Sequence, residues 1–276
     1  MVAPSYEQDV ADGQRFEFGK NWSRFLAVLD DERVEEATRA LREMLGVDSL
    51  AGKTFVDVGS GSGLHSLAAM RLGATRVRSF DFDPHSVACT QELKRRYFAD
   101  STTWTVEQGS ALDPAFLGSL GTFDVVYSWG VLHHTGDMWR ALDLVAPLAA
   151  PGGILFIAIY RDQGWRSRAW LGIKRFYNSG TMGRVLAGGA YSAYYAVGGA
   201  LDDAIRLRDP RQRYAEYKKS RGMSKVTDWI DWVGGLPFEV ATPDEIFDFF
   251  KQRGFALERL TTVVGHGCNQ YIFSKR

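Results

Sequence analysis

The chain has 276 residues, enough to bury a full core, and its 33 acidic and 33 basic side chains cancel, so any pull toward nucleic acid or membrane has to be local. Its two cysteines, Cys89 and Cys268, form neither a metal-ligand spacing nor a disulfide framework, which predicts a reducing, cytoplasmic setting. Met1 to Phe16 is polar and charged without an apolar core stretch, which argues against a secretory signal, and no internal repeat or low-complexity tract is present.

Residues 1–50 read as an N-terminal helical segment. Within it, Phe16-Glu17-Phe18-Gly19-Lys20-Asn21-Trp22 follows neither a helical nor a strand period, so it is either a cover for the sheet or a flap over whatever binds at the sheet edge. From Asp31, taken as the N-cap, Val34, Ala37, Leu41 and Leu45 recur at helical spacing up to Gly46.

Residues 51–160 have the alternation of a doubly wound α/β core. Thr54 to Val58 reads as a buried strand that breaks into Gly59-Ser60-Gly61-Ser62-Gly63, where the glycines permit a sharp turn and close approach of a ligand, and Leu64 to Leu72 follows as a helix. A glycine turn by itself also serves dinucleotides, but that fingerprint places its third glycine where this chain has Leu64. Here the pattern is Asp57-x-Gly59-x-Gly61-x-Gly63, with an acid inside the strand that would repel a pyrophosphate and can receive an ammonium. A second strand ends in Asp81, about 20 residues past the glycines, where such folds place a carboxylate on ribose hydroxyls. Asp83 and Pro84 open the next helix as N-cap and first helical residue.

This combination resembles class I S-adenosylmethionine-dependent methyltransferases. The resemblance implies S-adenosyl-L-methionine as cofactor, lying over Gly59, Ser60, Gly61 and Gly63, with Asp57 at its amino-acid end, Asp81 on the ribose and Phe82 against the adenine. It also implies that an N-terminal flap brings Phe18, Asn21 or Trp22 over the cofactor. The third strand, Thr103 to Glu107, leads to Ser110 and Ala111 beside the adenine, and Ser110 stands where the family commonly has an acid. The fourth, Phe123 to Trp129, delivers Ser128, Trp129 and Gly130 to the methionine part and then His133 and His134 to the acceptor space.

A histidine with a pKa near neutrality can take a proton as the methyl arrives, so His134 and His133 are the candidate catalytic residues; the competing reading has one cap the next helix and the other pack below the cofactor. Ubiquinone-pathway O-methyltransferases resemble this loop but carry acids where this chain has Gly130 and His133, and no metal is expected. Met138 to Leu148 is a helix ended by Pro151-Gly152-Gly153, and Ile154 to Tyr160 a fifth buried strand.

Residues 161–236 read as a helical insertion, a lid that sets specificity, with Tyr160, Arg161, Asp228, Asp231 and Trp232 as candidate substrate residues. Glu239, just past it, is a further candidate to orient a hydroxyl, with a structural turn as the rival reading. Val185 to Leu201 carries no charge but is rich in glycine and alanine, so a packed lid helix is expected over a membrane contact. A basic run from Arg206 to Lys225 is either a solvated face or a site for an anionic acceptor; zero overall charge and the lack of regular aromatic interleaving speak against RNA.

Residues 237–276 read as a capped helix from Thr242-Pro243-Asp244-Glu245 and two closing strands joined by a turn at Gly265-His266-Gly267. Family resemblance gives the seven strands the order 3-2-1-4-5-7-6, a Rossmann-like doubly wound sheet. The resulting expectation is methylation of a hydroxyl on a small molecule, a sugar, phenol or related metabolite, against two alternatives: a nucleic-acid methyltransferase and a non-catalytic cofactor-binding partner. The oligomeric state has no sequence signature.

Overall fold

A computed structural model describes residues 6–206, 209, 225–265 and 267–276. Arg208, Arg211, Arg213, Lys218, Lys219 and Arg221 of the basic run lie outside the described residues, as do the side chain of Lys225 and the whole of His266.

Seven strands form one sheet in the order β3-β2-β1-β4-β5-β7-β6. β1 (Thr54–Val58), β2 (Arg76–Asp81), β3 (Trp104–Gln108), β4 (Phe123–Trp129) and β5 (Ala149–Tyr160) run parallel, while β7 (Cys268–Lys275) lies antiparallel between β5 and β6 (Phe255–Thr261). The order expected from the family resemblance is therefore the observed one.

Side-chain alternation in the strands divides the core in two. Phe55, Tyr127 and Phe156 stack across neighbouring strands on one face, with ring centroids 5.7 and 5.0 Å apart. α3 (Asp31–Leu45), α4 (Leu64–Arg71) and α5 (Pro84–Tyr97) cover that face through Val34, Leu41, Leu67 and Leu93. On the other, Val56, Val58, Val126 and Ile157 pack against α6 (Pro114–Leu120), α7 (Met138–Val145) and a later helix, Pro243–Lys251. That later helix begins with the expected capping box, Thr242 and Glu245 exchanging hydrogen bonds.

Several boundaries shift by a residue or more, β3 running Trp104–Gln108 instead of Thr103–Glu107, and two of the shifts have a visible cause. The N-cap of α3 is Asp30, whose carboxylate accepts the Arg33 N–H at 2.9 Å, one residue before Asp31. β5 starts at Ala149 instead of Ile154, because the turn glycine Gly152 sits inside a strand irregularity that still lets Ala149 pair with Phe123.

The N-terminal stretch folds as α1 (Tyr6–Ala11) and α2 (Phe18–Leu26), with α2 laid on α5. Gly19 makes that approach possible: a Cβ there would stand 2.5 Å from His85 Cβ and 2.6 Å from the Ser86 nitrogen. The insertion contributes α8 (Trp165–Asn178), α9 (Thr181–Ile205) and α10 (Lys225–Gly234), and the capped helix Pro243–Lys251 is α11.

Candidate active site

The carboxyl ends of β1, β2, β4 and β5 meet under α2 and α10, the edge where open α/β sheets bind ligands. At the end of β1 the backbone turns through Gly59, Gly61 and Gly63 with φ of 79°, 55° and 80°, values a side chain would strain. The Ser60 hydroxyl bonds Thr90 on α5 at 2.9 Å, which pins the turn from below.

Asp81 ends β2 facing this turn. One carboxylate oxygen accepts the Gly61 N–H at 2.9 Å and the other accepts the Asp83 N–H, also at 2.9 Å. Burial pushes its pKa up to about 6, against the pull of those two amides. Asp57 lies on the other side of β1, where alternation with Phe55 turns it toward α4. Its Oδ2 accepts the Ser66 hydroxyl at 2.5 Å, and Ser66 in turn accepts from Ser79, which accepts from the Trp104 indole. Burial raises Asp57 to about 7. The carboxylate expected at the amino-acid end of a cofactor thus ties β1 to α4.

α2 spans the cleft as a strap. The Asp83 carboxylate receives the Gly19 N–H at 2.6 Å, and a Cβ on Gly61 would lie 2.9 Å from the Trp22 indole nitrogen, so Trp22 covers the glycine turn. Asn21 donates to Asp231 on α10 at 2.8 Å, and Phe18 packs on His134 with centroids 4.9 Å apart. The N-terminal segment thus lies over the sheet edge at the glycine turn, a position common to both sequence readings. Phe82 is flanked by the Tyr6 ring and the Arg15 guanidinium, 5.7 and 4.9 Å from its centroid. The Ser110 hydroxyl accepts the Leu112 N–H at 3.1 Å within its own loop, next to buried Ala111. Ser128 is buried and donates to the Val58 carbonyl at 3.0 Å, which binds β4 to β1, and Trp129 leads into Gly130, whose φ of 73° turns the chain toward the histidines.

Those histidines do not have the near-neutral pKa expected of a base. His133 is fully buried, and its Nδ1 accepts the Tyr160 N–H at 3.4 Å; burial and then the neighbouring His134 hold it well below the ordinary range. His134 Nδ1 sits 2.5 Å from the Pro237 carbonyl, which can only accept, so Nδ1 carries the proton. Burial first and the Lys174 ammonium second push His134 down to about 3, outweighing the Pro237 bond. Such an imidazole holds a transferred proton poorly. Neither histidine caps α7. That task falls to Glu239, whose carboxylate accepts the N–H groups of Gly136 and Met138 at 3.1 Å. The sequence reading offered Glu239 as a group that orients a hydroxyl; the structure gives it to the helix end.

Beyond the histidines, residues from four separate segments close round Tyr160. Tyr160 ends β5 with its ring 3.9 Å from His133, 5.0 Å from Trp232 and 5.4 Å from Phe238. Lys174 of α8 is fully buried inside this ring set: it donates to the Trp232 carbonyl and lies 4.9 Å from the Trp232 ring and 4.8 Å from that of Phe238. Burial lowers Lys174 to about 7, offset in part by Asp231 and Cys268. Asp231 is itself pushed well up, by burial and then by Asp228, against the Asn21 hydrogen bond.

Lys174 was missed from sequence, where Trp170, Ile173 and Phe176 marked the helix. The signal was its spacing: Trp170, Lys174 and Tyr177 fall on one helical face, which makes Lys174 the single charge on an inward stripe. Arg161 turns away instead, donating to the Val263 carbonyl at 2.9 Å in the loop between β6 and β7. Among the described residues, no group of three or more His, Cys, Asp or Glu is placed to hold a metal ion.

Residues 56–155 match the family model described as a methyltransferase domain. Over 112 residues the chain is 35% identical to the ubiquinone biosynthesis O-methyltransferase of Xanthomonas campestris pv. campestris, covering 40% of this chain and 44% of that one. Over 56 residues it is 52% identical to the ribosomal protein L11 methyltransferase of Alteromonas mediterranea, 20% of this chain and 19% of the other. The chain thus spans less than half the length of these curated relatives. The solved magnesium protoporphyrin IX methyltransferase of Synechocystis, with bound S-adenosylhomocysteine, superposes with a TM-score of 0.53 at 15% identity over 89% of this chain and 84% of that one, a likeness of fold.

Proposed function

With residues 56–155 belonging to the class I S-adenosylmethionine-dependent methyltransferase domains, we propose that this chain methylates a hydroxyl of a small molecule held against Tyr160, Trp232 and Phe238. The residues present fit the cofactor. Gly61 leaves bare backbone under Trp22 where a Cβ would fill the space. Asp81 has lone pairs to spare for two ribose hydroxyls beyond the two amides it already accepts. When bound, S-adenosylmethionine supplies a methyl group already activated on a sulfonium.

The protein's share of the reaction is to orient the acceptor oxygen, exclude water and receive the hydroxyl proton. α2 excludes water by joining the glycine turn, through Trp22, to the acceptor wall, through Phe18 and Asn21. The proton passes to Lys174, whose pKa of about 7 leaves a useful fraction as free amine at neutral pH, while His134 near 3 orients the wall. The observation that carries the reading is this buried lysine among aromatic rings at the carboxyl end of β5, an enclosed apolar setting that a folded polynucleotide does not enter.

Calorimetric titration with S-adenosylmethionine, S-adenosylhomocysteine and NAD tests the cofactor. Transfer of a labelled methyl to phenols and sugars, with RNA in parallel, tests the acceptor class. Binding of the first two compounds and labelling of a hydroxyl supports the proposal; binding of NAD alone, or labelling of RNA alone, overturns it.

A further inference from the structure

The outer face of the insertion is apolar and open. On α9 the side chains of Met182, Leu186, Tyr194, Val197, Leu201 and Ile205 are spaced three, four or eight residues apart and are 71%, 54%, 73%, 58%, 59% and 82% exposed. A groove of 470 Å³ between α8 and α9 takes in Leu186 and Tyr194 of this set and is lined as well by Trp170 and Tyr191. Behind the groove the rings form a packed chain toward the end of β5: Trp170 meets Tyr191 at 5.7 Å and Trp232 at 5.5 Å, and Trp232 meets Tyr160 at 5.0 Å.

From Trp165 to Leu201 the chain has five basic residues and no acid, and Asp202 and Asp203 follow at the end of α9. Lys174 is the buried one; Arg166, Arg168 and Arg175 on α8 and Arg184 on α9 are exposed. Arginines bordering an apolar helix face, with tyrosines and tryptophans between, are the complement of an anionic lipid surface: headgroup phosphates for the guanidiniums and the acyl boundary for the stripe. No described helix is long and apolar enough to cross a membrane, so the contact is one of a helix lying on the surface.

We propose that α8 and α9 dock this chain on an anionic bilayer, with the groove facing the lipid. The docking stands without the catalytic assignment.

Flotation of the full chain with phosphatidylcholine vesicles, with and without phosphatidylglycerol, tests it. The expected result is co-flotation with the phosphatidylglycerol vesicles that weakens with salt. Val197→Asp together with Leu201→Asp, two exposed positions away from the site, should reduce the bound fraction about tenfold, and Arg175→Glu with Arg184→Glu by a similar factor. Calorimetry with S-adenosylmethionine on the same variants should give wild-type affinity, which shows that they are folded and separates failure of docking from failure of the cofactor assignment. Three results would overturn the proposal: no flotation by a chain that binds the cofactor, a lipid-free dimer abolished by the apolar substitutions, or RNA displacing the vesicles.

Discussion

On the proposed function, two side chains decide the chemistry at the residue scale. Asp81 would accept ribose hydroxyls best as a carboxylate, and burial has moved its pKa up to about 6. Raising the pH through 6 therefore strengthens cofactor binding, by at most about tenfold per pH unit below that value, to a plateau above. Calorimetry across pH 5 to 8 measures this, and Asp81→Asn should remove the dependence along with most of the affinity. A flat profile in the wild type would detach Asp81 from the ribose. Lys174 shifts the opposite way, down to about 7, because its ammonium is buried. Turnover should then rise with pH through 7 as the amine loses its proton. Lys174→Met fits the same space without a buried charge, so the thermal midpoint should hold or rise, while turnover falls about a hundredfold or more and the rise near pH 7 disappears. A variant with full turnover would return the proton to another group.

At the scale of elements the site depends on α2, which shares no strand or turn with the core it covers. Its seat is the bare Cα of Gly19, with the Asp83 carboxylate on the Gly19 amide at 2.6 Å. Gly19→Ala would place a methyl 2.5 Å from His85 Cβ and 2.6 Å from backbone nitrogen, which cannot yield as a side-chain tip can. Such overpacking costs about 1–3 kcal/mol. The strap should lift from α5, so that cofactor affinity drops about tenfold while far-ultraviolet circular dichroism keeps the native spectrum. Unaltered affinity in this variant would mean that Trp22 covers the turn without contributing to the site. The N-terminus of α7 shows the same dependence on distant sequence. Glu239 supplies the cap from just over a hundred residues away, leaving His133 and His134 as packing and orienting groups.

Across the whole molecule, a ligand that joins β1, β2 and the strap should stabilise the fold as a unit. S-adenosylmethionine at a hundred times its dissociation constant should add about 2.7 kcal/mol, visible as a higher thermal midpoint that NAD does not reproduce. No rise despite measured binding would mean that the unfolding unit excludes the site. The parts of the molecule readable from sequence are those set by local rules. The three glycines, Asp81 at a strand end, the Asp83-Pro84 and Thr242-Pro243 helix starts and five strand–helix alternations each follow from backbone sterics and periodicity over a few residues, and with the family pattern they determined the sheet and its cofactor edge. Only the tertiary structure decided the rest. Histidines 133 and 134 became weak bases because burial and the Lys174 ammonium surround them, and Asp57 turned to α4 because its strand face is the one packed there. Lys174, Asn21, Tyr160 and Trp232 meet from segments up to some two hundred residues apart; helical spacing marks Lys174 as inward-facing, but which groups surround it is decided by desolvation and ring contact, which exist only once the chain has closed on itself.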